Sequence, residues 1–243
     1  MKPILLLQYR TDESETHEQH CIAKKLGVNL DQLDIRNVIR EQPLPSPQQL
    51  QNYLGVISGA SGQFNVTDWP FAIQTAVEKT YPLMDEIINQ DFPFLAICFG
   101  HQLLAKMYGG RVERNPTRAE SGSTRILLTS LGQRSPLYHS LIPSFYSCNG
   151  HKDSVMELPS GAQLLAISPT CYIQSYQIKN NIATTQFHPE LDMDDVRFRL
   201  TLTPEYCFEK TVDEVLAEYK DITKSGIILQ NFMKVMEKNE KER

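Results

Sequence analysis

Phe94-Leu95-Ala96-Ile97-Cys98-Phe99-Gly100-His101-Gln102 is the stretch that decides the fold. Its first five residues are apolar at every position, the mark of a central strand covered on both faces, and Asp91-Phe92-Pro93 introduces it. Gln102, Leu103, Leu104, Ala105, Met107 and Tyr108 then carry a helical pattern that Gly109-Gly110 ends. A cysteine at the C-terminal end of a buried strand and ahead of a helix meets free N–H groups and the positive end of the helix dipole. Both lower a thiol pKa from its free value of roughly 8.5. The small residues Ala96 and Gly100 relieve crowding at such a turn. Taken alone, Cys98 reads equally well as a nucleophile and as a buried core thiol.

On the N-terminal side, Ile4 to Gln8 reads as a buried strand, and Glu15 to Leu26 as a helix stopped by Gly27. A short strand follows near Gln32 to Ile35. Gly55 to Ile57 opens into Ser58-Gly59-Ala60-Ser61-Gly62, a small-residue loop that lets backbone approach a ligand. Asp68 is placed to cap a helix through Ala72, Ile73, Ala76 and Val77, which Pro82 breaks or restarts. After Arg111 the texture turns to β-rich segments at Thr124 to Thr129, Phe145 to Cys148, Gln163 to Ile167, Cys171 to Gln177 and Ile182 to Phe187. These suggest hairpins added to an α/β core. From about 192 to 243 the chain reads as helical with charged faces. Within it, Glu209 to Met236 has apolar residues at helical spacing that fit packing on the core or on a neighbour, with the core favoured, and Lys234 to Arg243 reads as a solvated tail. With no repeat and no long linker, residues 1–243 read as one domain.

Composition excludes several classes. Among 243 residues, 24 Lys and Arg stand against 29 Asp and Glu, a net charge of -5 with no footprint for nucleic acid or an anionic membrane. Apolar residues at 41% and charged residues at 22% fit an ordinary folded protein. Ile4 to Leu7 is too short for a signal-peptide core, and no window approaches the roughly 20 apolar residues of a membrane span, so a cytoplasmic location is expected. Cys21, Cys98, Cys148, Cys171 and Cys207 form no C-x-x-C pair and no cluster with histidine. Neither a disulfide framework nor a zinc site is expected.

Gln186-Phe187-His188-Pro189-Glu190 resolves the ambiguity at Cys98. A thiol nucleophile needs a general base, and the base needs an acceptor on its far nitrogen. A strand ending at Phe187 presents His188, with Glu190 two positions on and Pro189 stiffening the link. His-x-Glu alone is a weak pattern; beside the elbow it becomes specific. Together these two segments resemble the signatures of the class I (triad) glutamine amidotransferases. The likeness continues through Ser58 to Gly62, Leu103 to Val112 and Asn149-Gly150-His151-Lys152-Asp153, the last resembling the free-standing GMP-synthase-like branch.

The resemblance implies a flavodoxin-like fold: an open, twisted, mostly parallel sheet with helices on both faces, extended by antiparallel strands. It implies that Cys98 attacks a carboxamide carbon, that His188 acts as base and then acid, and that Glu190 orients His188. The oxyanion would be held by N–H groups of Phe99 and of the Gly59-Ala60 loop, and Gln102 would shape the glutamine pocket. The sequence departs from the family at Ala96, where glycine is usual, and at Ser58-Gly59-Ala60, where many relatives have Gly-Gly-Pro. Intracellular-protease-like proteins also carry an elbow cysteine, but theirs is followed by histidine and Cys98 by Phe99. His101 reads as a packing residue and His151 with Asp153 as a structural or pocket-rim pair. His17, His20 and His139 have no partner visible in sequence.

No cofactor and no metal are needed for this chemistry. The expected reaction is hydrolysis of glutamine or a γ-glutamyl compound through a thioester on Cys98. Acting alone, such a protein is a γ-glutamyl peptidase or hydrolase. A glutaminase subunit feeding ammonia to a separate synthase partner is the alternative, since no Walker-type loop is present. An idle binding domain is a third, opposed by the intact Cys98, His188 and Glu190.

Overall fold

Ile4–Gln8 (β1) sends alternate side chains into two apolar layers, which is why its sequence has no polar face. Ile4 and Leu6 pack with Ile22, Leu26, Ile228 and Phe232, whereas Leu5 and Leu7 pack with Met84, Ile87, Leu103 and Leu104. The structure is a computed structural model that describes residues 1–207 and 210–243. The helices of the first layer are Ser14–Leu26 (α1) and Ile227–Glu242 (α7); those of the second include Tyr81–Gln90 (α3) and Phe99–Met107 (α4). Helices thus cover both faces of the sheet.

Leu33–Asn37 (β2), β1, Val56–Ser58 (β3), Phe94–Ile97 (β4) and Ile182–Thr185 (β11) lie side by side in that order, all parallel. The same sheet continues antiparallel through Ser175–Ile178 (β10), Gln163–Ile167 (β9), Glu120–Leu128 (β6) and Ser144–His151 (β7). The β extension is therefore a continuation of the sheet. Arg111–Arg114 (β5) and Asp153–Glu157 (β8) form a separate antiparallel pair that the sequence reading missed. Both strands are short and rich in charged residues, so they carry little apolar alternation.

Other boundaries moved for local reasons. Phe71–Glu78 (α2) starts after Pro70, and Asp68 is exposed without capping it. Pro82 sits in the first turn of α3, where a missing N–H leaves no bond unmade. Residues 171 to 174 precede β10 as a loop, because the Ser168 hydroxyl accepts the Cys171 N–H at 2.8 Å and turns the chain. Beyond β11 come Met193–Leu202 (α5), Val212–Glu218 (α6) and α7. The expected solvated tail is instead the end of α7: Met236 is fully buried, and a Cβ on Gly55 would collide with its sulfur. Among the described residues, no helix is long and apolar enough to cross a membrane.

Candidate active site

β1, β3, β4 and β11 end at one edge of the sheet, and the loops leaving that edge carry the predicted chemistry. Cys98 follows β4 with φ 50° and ψ −98°, a backbone conformation that side chains rarely adopt and that marks a strained turn. Its N–H is fixed by the Thr185 carbonyl of β11 at 2.7 Å. The turn requires Gly100, since a Cβ there would lie 2.6 Å from the Ser58 hydroxyl and 2.8 Å from the Ser58 carbonyl. Ala96 is fully buried in the sheet. At the start of α4 the Phe99 N–H makes no hydrogen bond with the described residues.

His188 is brought beside Cys98 by the parallel pairing of β11 with β4, and a bridge to Cys148 on β7 holds its backbone at 2.8 Å. Its Nδ1 meets Glu190 Oε1 at 2.7 Å, which leaves Nε2 for the Cys98 side. Burial disfavours the imidazolium, but the Glu190 carboxylate and then the Cys98 sulfur outweigh it and raise the His188 pKa to about 10. Glu190 is buried too; desolvation would raise its pKa, yet His188 holds it below its usual value.

The oxyanion loop differs from expectation. Gly59 N–H donates to the Leu7 carbonyl and Ala60 N–H to Glu18 Oε1, each at 2.9 Å. Both amides are therefore committed to the scaffold. Glu18 is buried and also accepts from Gln8 at 3.0 Å and Arg10 at 3.1 Å, so it fastens the loop from below. A side chain at Gly59 would press on Glu18 and one at Gly62 on the Arg10 guanidinium, both at 3.0 Å. The N–H groups of Ser61 and Gly62 make no hydrogen bond with the described residues, and both residues line the cleft at Cys98. No periodic signal marks Glu18 or Arg10, and the sequence reading gave neither a role.

Gln102 also lines that cleft, but its amide nitrogen is directed to the Asp153 carbonyl at 2.7 Å and to Gln186 Oε1 at 3.0 Å. Gln186 in turn points its amide nitrogen at the Cys98 sulfur at 3.6 Å, a contact the reading also missed. His101 is buried against Tyr176, bonded to the Thr184 hydroxyl at 2.8 Å, and pushed down to about 3 chiefly by burial. It is a neutral packing residue. His151 meets the Asp153 carbonyl at 2.9 Å and Glu120 at 3.2 Å, while the Asp153 carboxylate holds Thr67 at 2.9 Å. All five cysteines are buried and free. His17, Cys21 and Asp195 gather within 4.8 Å, a convergence the sequence did not show. The ring nitrogens of His17 are already engaged there, by Arg199 at 2.9 Å and Asp195 at 3.2 Å.

The family model for glutamine amidotransferase class-I matches residues 20–197. Gamma-glutamyl peptidase 4 of Arabidopsis thaliana is 31% identical over 226 residues, which cover 90% of this chain and 79% of that protein. A glutamine-hydrolyzing GMP synthase subunit of Sulfurisphaera tokodaii is 33% identical over 123 residues, 50% of this chain and 63% of that protein. Among solved structures, a glutamine amidotransferase from Thermotoga maritima superposes with a TM-score of 0.77 at 18% identity, covering all of both chains.

Proposed function

This chain belongs to the class I glutamine amidotransferase family, and we propose that it hydrolyses the γ-carboxamide of glutamine or of a γ-glutamyl compound through a thioester on Cys98. The observation that carries the reading is the strained Cys98 turn beside a buried imidazole whose far nitrogen is held by Glu190 at 2.7 Å. Cys98 gives its thiol proton to His188, its sulfur attacks the amide carbon, and the carbonyl electrons move onto oxygen. That oxyanion is held by the Phe99 N–H and by Ser61 or Gly62, loop amides that make no hydrogen bond with the described residues. When the carbon–nitrogen bond breaks, the His188 imidazolium gives its proton to the departing amine. Water then attacks the thioester, His188 takes one of its protons, and the acid leaves with Cys98 restored. Overall, one water is consumed for each amide cleaved into a carboxylic acid and an amine.

Supplying ammonia to a separate synthase is a second reading, supported by the half-chain likeness to the GMP synthase subunit. The test is glutamate release from glutamine and from a panel of γ-glutamyl peptides, beside Cys98→Ala. Turnover is expected to fall by about 10⁴-fold or more in the variant. A silent wild type whose Cys98 is still labelled by an electrophilic glutamine analogue would support the synthase reading. Silence with no labelling would rule out both.

A further inference from the structure

Cys98 lines one cleft and His188 lines another, and the two adjoin: Asp12, Ser61, Gly62, Gly150 and Thr203 belong to both walls. In an amide, the carbonyl carbon must meet the Cys98 sulfur while the departing nitrogen must meet His188 Nε2. The acyl chain and the substituent on nitrogen therefore leave the reacting carbon in opposite directions. If the acyl chain occupies the Cys98 cleft, beside Gln102, His151 and Asp153, the nitrogen substituent enters the His188 cleft.

Glutamine carries only hydrogen on that nitrogen and would leave the second cleft to water. That cleft has a cavity volume of about 90 Å³, room for a small substituent on the nitrogen. Leu191, Val196, Leu200 and Tyr219 give it apolar walls, and two arginines, Arg10 and Arg199, are among its lining residues. Arg10 is engaged with Glu18 at 3.1 Å and Ser14 at 2.9 Å. Arg199 donates from Nε to His17 Nδ1 at 2.9 Å, but its buried Nη2 has no hydrogen-bond partner among the described residues. An unpaired buried donor on a charged group is unfavourable, and an incoming anion removes the penalty. Burial and then repulsion from Arg10 lower the Arg199 pKa to about 10, so the same anion would relieve both effects.

We propose that Arg199 selects the leaving group by pairing with a carboxylate on the departing amine. The favoured substrates are then γ-glutamyl amino acids and peptides whose leaving part joins a carboxylate to an apolar side chain, ahead of glutamine. His17, fixed by Asp195 at 3.2 Å, positions the guanidinium. The proposal rests on the thioester reading of Cys98, yet it can fail separately.

The test uses Cys98→Ala protein, which binds without turnover, and calorimetric titration with γ-glutamyl-leucine and with γ-glutamyl-leucinamide. The two ligands differ only in the carboxylate. The acid is expected to bind at least about tenfold more tightly than the amide, a difference within the range for one charged hydrogen bond. Adding Arg199→Met should bring the two within about twofold, and Arg199→Lys should retain part of the preference. Equal affinities in the parent, or a preference that survives Arg199→Met, would overturn the assignment. Because the acid-to-amide ratio is read within one protein, a general loss of folding cannot mimic the result. Failure of the thioester reading shows elsewhere, as absent labelling of Cys98 in the wild type.

Discussion

His188–Glu190 and His151–Glu120 are both buried histidine–glutamate pairs, at 2.7 and 3.2 Å, and they differ in how much hydrogen-bonding capacity each has left. Glu120 also receives Asn149 at 3.1 Å, Gln174 and Ser168, and the second nitrogen of His151 is taken by the Asp153 carbonyl at 2.9 Å. Every polar atom of that pair has a partner. Glu190, by contrast, holds His188 and leaves its own Oε2 without one among the described residues, while His188 keeps Nε2 toward Cys98. A saturated pair can fix structure, but proton transfer requires a nitrogen that is not already committed. Two pairs of identical residue types thus differ in the hydrogen-bonding capacity that their surroundings leave them.

The contrast is most exposed to test at the histidines. His188→Ala is expected to lower kcat by about 10⁴-fold. His151→Ala should change kcat by less than about tenfold while lowering stability by about 1–3 kcal/mol, because Glu120 and Asp153 lose a buried partner. Steady-state kinetics and denaturant melts on both variants decide the matter; equal losses of turnover would erase the distinction.

The carboxylates refine it. Glu190→Gln should lower kcat by about 10²- to 10⁴-fold and move the alkaline limb of the pH profile to lower pH. The sign follows from His188, whose pKa is raised to about 10 by Glu190 and Cys98 against burial. Its pairing stabilises the fold fully below the ordinary histidine range and is lost as pH rises through about 10. Glu120→Gln should leave the pH profile in place and affect the melting temperature alone. A shifted limb in Glu120→Gln would mean the two pairs are coupled.

The smallest expected effect on turnover is at His101, neutral because burial holds its pKa near 3. Between about pH 6.5 and 3 the unfolded chain takes up a proton that the folded chain refuses, so stability falls as pH falls through that window. His101→Asn should flatten the fall, read from melting temperatures at pH 4 and pH 7, with turnover little changed at pH 7.

What is local was legible in the letters. Strand, turn and helix around Cys98 lie within a few residues of one another, so their apolar pattern and small residues show without a fold. His188 and Glu190 are two residues apart, and the unbroken apolar run of β1 follows from the two apolar layers it separates. Which groups are committed was settled only once the chain had folded. Ala60 meets Glu18 across 42 residues, His151 meets Glu120 across 31, and Arg199 meets His17 across 182, in each case through contacts with no periodic signature. A hydrogen-bond donor is free or occupied only by virtue of everything folded around it. The reading of Gly59 and Ala60 as oxyanion donors, and the silence about Arg199, both follow from that physical fact.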